Sequence, residues 1–144
     1  MEPTRTVLFL CTGNYYRSRF AELLFNARIS PEAGWRAESR GFEPSPLNPG
    51  PISSAVLERL TALGIPHPPT LRMPLRVTEE DLRSAALIIA LDDQEHPPYI
   101  AELFPEWRDK VIYWQVRDLG YMSVDQALGA IERAVDALVQ ELSS

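Results

Sequence analysis

The residues best suited to chemistry lie in one short stretch near the amino terminus. It holds the only cysteine of the chain, Cys11, with Arg17 six residues later and Ser18 directly after the arginine. A cysteine reacts as its thiolate, which a nearby arginine or a helix N-terminus stabilises. The planar guanidinium of an arginine can also bind two oxygens of a phosphoryl group at once. This spacing therefore indicates a cysteine nucleophile beside an oxyanion-binding arginine.

The residues around this cysteine favour an anion-binding loop. An apolar run at 6–10 predicts a buried strand before the loop, and a helix is predicted over 18–27 behind it. Gly13 and Asn14 tolerate left-handed backbone angles, so the loop can turn its amides inward towards an oxyanion. The helix N-terminus attracts the same anion. The stretch is therefore predicted to be a strand, a phosphate-binding loop and a helix.

This loop closely resembles the signature of the low-molecular-weight protein tyrosine phosphatases, which is a cysteine, five residues including Gly-Asn, and then Arg-Ser. The resemblance implies that Cys11 attacks phosphorus to give a phosphocysteine intermediate, while Arg17 and the loop amides stabilise the transition-state charge. It implies that Ser18 holds the thiolate and eases its departure, and that Asn14 locks the loop. The complete candidate loop is Cys11, Thr12, Gly13, Asn14, Tyr15, Tyr16, Arg17 and Ser18.

The two tyrosines are departures from the family pattern. Tyr15 either packs or lines the substrate slot, and both interpretations stay open, whereas Tyr16 is predicted to pack. The family usually carries a second cysteine where Tyr16 stands. Arsenate reductases on this fold share Cys-Thr-Gly-Asn but use additional cysteines, so a single cysteine argues against that class. Some relatives act on phosphoarginine and have a small threonine in place of Tyr15, and an aromatic residue suits a flat phosphotyrosine better.

The composition indicates one globular domain spanning 1–144, with 45% hydrophobic and 24% charged residues. The net charge is −6 and the 14 basic residues form no run, which argues against a nucleic-acid partner. The chain has neither an apolar run of about 20 residues nor a signal-peptide pattern, so a cytoplasmic protein without a membrane partner is expected. One cysteine and two separated histidines predict no metal site. No cofactor is expected. No sequence feature indicates an oligomeric state.

The order of predicted elements gives the fold class. Strands that alternate with helices predict an α/β single-domain three-layer sandwich, with a four-stranded parallel sheet, helices on both faces and the phosphate-binding loop after the first strand. Ligands of such folds bind at the carboxyl ends of the strands. The predicted strands cover 6–10, 35–40, 86–91 and 111–114, and the predicted helices begin near 18, 53, 78, 100 and 124.

Hydrolysis of an aryl phosphate also needs a proton donor for the leaving oxygen. Two acidic positions follow strands at the appropriate edge, Asp92-Asp93 and Asp118, and the residues alone do not separate them. The resemblance favours Asp118, because the family places its catalytic aspartate in an Asp-Pro loop between the last strand and the last helix. Here Leu119 replaces that proline. Asp92 stays the second candidate, although a solvated strand end is the ordinary interpretation of Asp92-Asp93.

The other assignments concern residues outside the phosphate-binding loop. Ser39 lies where family members have a serine that supports the catalytic loop. Tyr121 corresponds to the aromatic residues that flank a phosphotyrosine ring in relatives. In the resembling family the loop at 42–51 forms one wall of the cleft, and the resemblance gives that role here to either Phe42 or Leu47. His96 precedes two prolines and is predicted to lie at the surface.

Together these patterns predict a phosphatase for phosphotyrosine in proteins, with Asp118 as general acid and then base. The expected partners are a phosphotyrosine-containing protein and oxyanion inhibitors such as phosphate in the loop. One alternative is a phosphatase for another phosphoester or for phosphoarginine. The other is a non-catalytic phosphate-binding module, suggested by the altered Asp118-Leu119 loop and the Tyr15-Tyr16 pair. The intact nucleophile, arginine and serine argue against this module.

Overall fold

The computed structural model describes residues 3–68 and 70–143. Within them a four-stranded parallel sheet is flanked by five α-helices, which confirms the predicted fold class. The strands are β1 (Arg5–Cys11), β2 (Trp35–Gly41), β3 (Leu87–Ala90) and β4 (Val111–Tyr113), in the spatial order β2-β1-β3-β4. The helices are α1 (Arg17–Arg28), α2 (Ser54–Ala62), α3 (Glu79–Ser84), α4 (Pro97–Leu103) and α5 (Val124–Leu142).

The first strand occupies a central position because its residues suit burial on both faces. Its last five residues are all buried, as expected for a parallel strand covered by helices on each side. In the register of the sheet, Cys11 lies beside Gly41 and Leu10 lies beside Ala90. The strand therefore delivers Cys11 to the middle of the carboxyl edge.

Each face of the sheet covers its own apolar core. Successive side chains of a strand point to opposite faces, so Val7 and Phe9 join the larger core with α1, α2 and α5. Leu8 and Leu10 join the smaller core with α3 and α4. Each such fully buried side chain contributes roughly 1.5–3 kcal/mol of transfer free energy, so the alternation along β1 anchors the strand from both sides.

The helix starts agree with the sequence in most places. Ser53 caps α2 by accepting from the Ala55 amide, and Thr78 forms a reciprocal capping box with Asp81 at α3. The helix predicted to begin near residue 100 begins three residues earlier, at Pro97, because proline suits the first helical turn. Across the two described segments, no helix is both long and apolar enough to span a bilayer.

The structure contradicts the surface prediction for His96 and one of the two alternatives for the cleft wall. His96 is fully buried, since its ring packs 5.3 Å from the Phe42 ring and its Nδ1 accepts a hydrogen bond from the Asp92 amide. Phe42 does not wall the cleft, because it stacks on Tyr99 at 5.0 Å inside the smaller core. Leu47 is strongly exposed.

Candidate active site

The nucleophile candidate lies at the end of β1, where the loop to α1 begins. Cys11 is buried, and its Sγ lies 3.0 Å from Ser18 Oγ. Ser18 Oγ accepts a hydrogen bond from Asn14 Nδ2 at 2.9 Å, which leaves the serine hydroxyl hydrogen to point at the sulfur. Ser18 can therefore donate to a thiolate at this position.

Asn14 forms the centre of the loop. It is fully buried, and its φ of 52° is the one positive value recorded for a described residue other than glycine. Its Oδ1 accepts from Arg72 Nη1 at 3.0 Å and from the Leu75 amide at 3.1 Å, while Nδ2 donates to Ser18 and Ser39. The side chain thus fixes a turn that most residues would avoid.

A charged network supports this turn from behind. Ser39 Oγ donates to Glu22 Oε1 at 2.5 Å, and Arg72 Nη2 donates to the Ser39 carbonyl at 2.7 Å. Burial, assisted by the nearby charge of Arg19, lowers the pKa of Arg72 to about 10, so Arg72 is still cationic at neutral pH. Sequence reasoning singled out Ser39 but missed Arg72 and Glu22, because no motif or periodicity marks them.

Arg17 lies under the loop with acidic groups around its guanidinium. Nη1 donates to the Val116 carbonyl at 2.9 Å and lies 3.6 Å from Asp92 Oδ2. Nη2 donates to Glu95 Oε2 at 2.9 Å and lies 3.7 Å from Asp118 Oδ2. The strands and turns at the carboxyl edge therefore hold the arginine on several sides.

Opposing effects act on the protonation of this arginine. Its burial disfavours the charged form, but the charges of Cys11, Glu95 and Asp118 and the hydrogen bond to Glu95 outweigh that cost and raise the pKa of Arg17. The guanidinium therefore keeps its full positive charge in the buried position, as phosphoryl binding requires.

Asp118 lies on the loop between β4 and α5, opposite the arginine. Its side chain is 47% exposed, Oδ1 accepts from the Leu119 amide at 2.8 Å, and Oδ2 faces Arg17. The Leu119 bond is one that a proline at that position could not make, because proline has no N–H. With leucine in place of the family's proline at position 119, the Asp118 side chain thus gains a hydrogen bond from the backbone.

Asp92 is not the solvated strand end that its sequence context indicated. It is 3% exposed, and Oδ1 accepts from the Gln94 amide at 2.8 Å, the Glu95 amide at 3.2 Å and Arg117 Nη1 at 2.5 Å. Arg117 Nη1 also donates to Asp93 Oδ1 at 2.8 Å. These bonds commit Asp92 to building a turn, which makes it a poor candidate for the acid.

One pocket of about 270 Å³ is lined by the three predicted catalytic residues, Cys11, Arg17 and Asp118. Tyr15, half-buried, and Leu119 form part of its wall, whereas the Tyr121 side chain is 86% exposed and projects away from the core. Tyr16 packs in the larger core as predicted, and no described residue bonds to its hydroxyl. The lining residues are Cys11, Thr12, Gly13, Tyr15, Tyr16, Arg17, Glu43, Ser45, Asn48, Asp118 and Leu119.

Sequence reasoning missed Glu95, whose carboxylate bonds directly to Arg17. Its position just past β3, at the same edge as Asp92, was the available signal. The resulting arrangement has a buried sulfur at the pocket floor, a guanidinium beside it and a half-exposed carboxyl at the rim. Such a set can perform displacement at phosphorus with protonation of the leaving group.

Comparisons with known proteins agree with this geometry. Residues 6–143 match the model of the family described as low molecular weight phosphotyrosine protein phosphatase. The protein-arginine-phosphatase of Bacillus subtilis (strain 168) is 33% identical over 105 residues, which is 73% of this chain and 67% of that relative.

Two solved structures cover nearly the whole chain. A YwlE mutant from Bacillus subtilis superposes with a TM-score of 0.80 and 28% identity, over 98% of this chain and 100% of that one. A low molecular weight protein tyrosine phosphatase from T. tengcongensis gives 0.76 and 28%, over 96% and 99%. The chain therefore belongs to the low molecular weight phosphotyrosine protein phosphatase family and is a phosphoric monoester hydrolase.

Proposed function

We propose that the protein hydrolyses phosphotyrosine in proteins through a phosphocysteine intermediate on Cys11, with Asp118 as general acid and then general base. The observation that carries this proposal is that Cys11, Arg17 and Asp118 all line one pocket. A phosphate-binding module without catalysis would need neither the sulfur at the floor nor the carboxyl at the rim.

The proposed reaction has two displacements. The phosphoryl oxygens bind the loop amides and Arg17, and the Cys11 thiolate attacks phosphorus as the P–O bond to tyrosine breaks. Asp118 gives its proton to the departing phenolate oxygen. Water then attacks phosphorus and passes a proton to Asp118, the S–P bond breaks, and inorganic phosphate leaves. The Ser18 hydroxyl stabilises the thiolate that this second step regenerates.

The remaining parts of the proposal follow from the same assignment. The whole chain, 1–144, works as one phosphatase domain in the cytoplasm. It uses no metal or cofactor, its substrate is a phosphotyrosine-containing protein, and phosphate or another oxyanion inhibits it by occupying the loop.

A second candidate substrate is phosphoarginine. Its support is the 33% identity to the protein-arginine-phosphatase of Bacillus subtilis. Tyr15 in the pocket wall favours phosphotyrosine, because a flat ring packs well against another aromatic ring.

Matched peptides test the substrate class. One peptide sequence is prepared with phosphotyrosine and with phosphoarginine, and phosphate release gives kcat/KM for each. We expect the phosphotyrosine form to be preferred by roughly tenfold or more, the size of effect that one or two pocket contacts supply. The reverse order would assign the protein to phosphoarginine. Phosphate binding without turnover of either peptide would favour the binding module.

A trapping experiment tests the intermediate. The substrate is para-nitrophenyl phosphate, whose phenolate departs without a proton donor, so Asp118→Asn leaves the first step running. The variant weakens the activation of water in the second step, and a rapid quench should therefore leave phosphate covalently attached. Peptide mass spectrometry would place it on Cys11, and phosphate on any other residue would contradict the mechanism.

A further inference from the structure

A carboxylate that the proposed mechanism does not use lies directly against the phosphate-binding arginine. Glu95 Oε2 is 2.9 Å from Arg17 Nη2 and 3.2 Å from His96 Nε2, and it also accepts a hydrogen bond from the Thr12 hydroxyl. A single oxygen thereby joins the catalytic loop, the arginine and the turn after β3.

The turn fixes where this carboxylate points. Asp92 Oδ1 accepts from the amides of Gln94 and Glu95, and the Asp92 carbonyl accepts from the His96 amide at 3.1 Å. The backbone on both sides of Glu95 is therefore fixed by hydrogen bonds, and the Glu95 side chain points to Arg17.

His96 adds a donor to the same oxygen. The Asp92 amide donates to His96 Nδ1 at 3.0 Å, so Nδ1 carries no hydrogen, and the hydrogen of the neutral ring must lie on Nε2. Nε2 faces Glu95 Oε2, and the ring is fully buried. The ring therefore lies against both the Glu95 carboxylate and the Thr12 hydroxyl, whose Oγ1 is 3.3 Å from Nε2.

These contacts keep Glu95 ionised. Its partial burial favours the neutral acid, but hydrogen bonds from His96, Thr12 and Arg17 together outweigh burial and hold the pKa of Glu95 well below its usual range. A full negative charge consequently lies beside the place where a phosphate dianion would meet the arginine.

The hydrogen bonds of the Arg17 guanidinium determine which of its N–H groups remain available to a phosphoryl group beside the Glu95 carboxylate. Nη1 is committed to the Val116 carbonyl, and one hydrogen of Nη2 is committed to Glu95. In the described part of the chain, nothing accepts from Nε of Arg17, which leaves Nε and the second Nη2 hydrogen to form a two-point grip on a phosphoryl group. Glu95 orients that grip while its charge repels the anion being held.

We propose that Glu95 is a positioning residue that orients Arg17 and, by its negative charge, limits how tightly the pocket retains inorganic phosphate. The catalytic part rests on the proposed function, because phosphate is the product of that reaction. Removing the charge while keeping the acceptor oxygen should strengthen phosphate binding, and removing the whole side chain should release the arginine.

Calorimetric titration of the full chain with inorganic phosphate tests the charge. Glu95→Gln should bind phosphate about tenfold more tightly than the wild type, since the carboxylate charge within a few ångströms is gone. Glu95→Asp keeps the charge and should show no tightening. Asp93→Asn is the matched control, because Asp93 lies on the same turn, carries the same charge and pairs with Arg117 rather than Arg17; its affinity should stay within about twofold. Unchanged affinity in Glu95→Gln would overturn the proposal.

Turnover of para-nitrophenyl phosphate tests the positioning. Glu95→Ala should lower kcat by roughly 30-fold or more through misplacement of Arg17, whereas Glu95→Gln should lose several-fold less than Glu95→Ala because its amide oxygen still accepts from the guanidinium. A wild-type kcat in Glu95→Ala would overturn the positioning role. If the wild type bound phosphate but turned over nothing, the proposed function would fail while the titration still tested the effect of the Glu95 charge.

Discussion

The loop that carries Cys11 and the loop that carries Asp118 face one pocket, yet they are built in different ways. In the first, Asn14 and Ser18 are fully buried and bonded through their side chains to residues from other elements. In the second, the Asp118 carbonyl accepts from the amides of Tyr121 and Met122, and most of the side chains remain exposed. The first loop is held by tertiary contacts throughout, whereas the second is held by them up to Arg117 and mainly by its own turn from Asp118 onward.

This difference matches what each half must do. Stabilising a phosphoryl transition state requires donors that are already fixed in place, because their reorganisation would cost free energy during the reaction. A residue that first gives a proton and later takes one from water needs access to solvent. We therefore expect the first loop to tolerate almost no change and the second to tolerate several.

Two glycines, Gly41 against the first loop and Gly120 within the second, test this difference in rigidity. Gly41 touches the first loop, and a Cβ at that position would lie 2.7 Å from the Thr12 carbonyl oxygen and 3.0 Å from the Asn14 amide nitrogen. Gly41→Ala should therefore cost about 1–3 kcal/mol of unfolding free energy by overpacking, and kcat should fall roughly 100-fold as the loop is displaced. Urea unfolding and para-nitrophenyl phosphate turnover measure both, and a variant with wild-type stability and kcat would refute the rigidity of this loop.

Gly120 is the corresponding glycine of the Asp118 loop. Its φ is +95°, but a Cβ there would meet nothing within 4 Å. Gly120→Ala should thus cost only the backbone strain, about 1–2 kcal/mol, and kcat should fall less than about tenfold. The same two assays apply. If this substitution disabled the enzyme as fully as Gly41→Ala, the second loop would be as constrained as the first.

The smallest predicted effect is a change in the free energy of unfolding at Tyr16, which belongs to the first loop. Its hydroxyl is buried with no partner among the described residues, and burial, the largest cause, raises the pKa of Tyr16. Tyr16→Phe removes a polar group whose burial is not compensated, so the free energy of unfolding should rise by about 1 kcal/mol. Tyr15→Phe, at a half-buried position, is the control and should give no such gain. A loss of stability in Tyr16→Phe would mean that the hydroxyl is satisfied.

Local sequence signals were sufficient for some parts of this molecule. The apolar run of β1, the caps Ser53 and Thr78, and the strand-loop-helix stretch around Cys11 each depend on residues close together in the chain. Their periodicity and capping chemistry are readable without a structure. The order of elements then predicts the sheet.

Other parts depend on contacts between distant segments. Arg72 reaches Asn14 across 58 positions, and Glu95 reaches Arg17 across 78. His96 is buried because Phe42 packs on it from another loop, which its neighbouring prolines could not indicate. Polar side chains such as these look like surface residues until the fold supplies their partners.

In the proposed reaction, one loop supplies the nucleophile Cys11 and the other supplies the acid Asp118. Para-nitrophenyl phosphate turnover without added metal, in wild type, Cys11→Ser and Asp118→Asn, tests it directly, with Asp93→Asn as the matched acidic control. We predict that Cys11→Ser lowers kcat by about 10⁴-fold or more, that Asp118→Asn lowers it by about 10²–10⁴-fold, and that the control matches the wild type. Wild-type turnover in Asp118→Asn, or substantial turnover in Cys11→Ser, would contradict the claim.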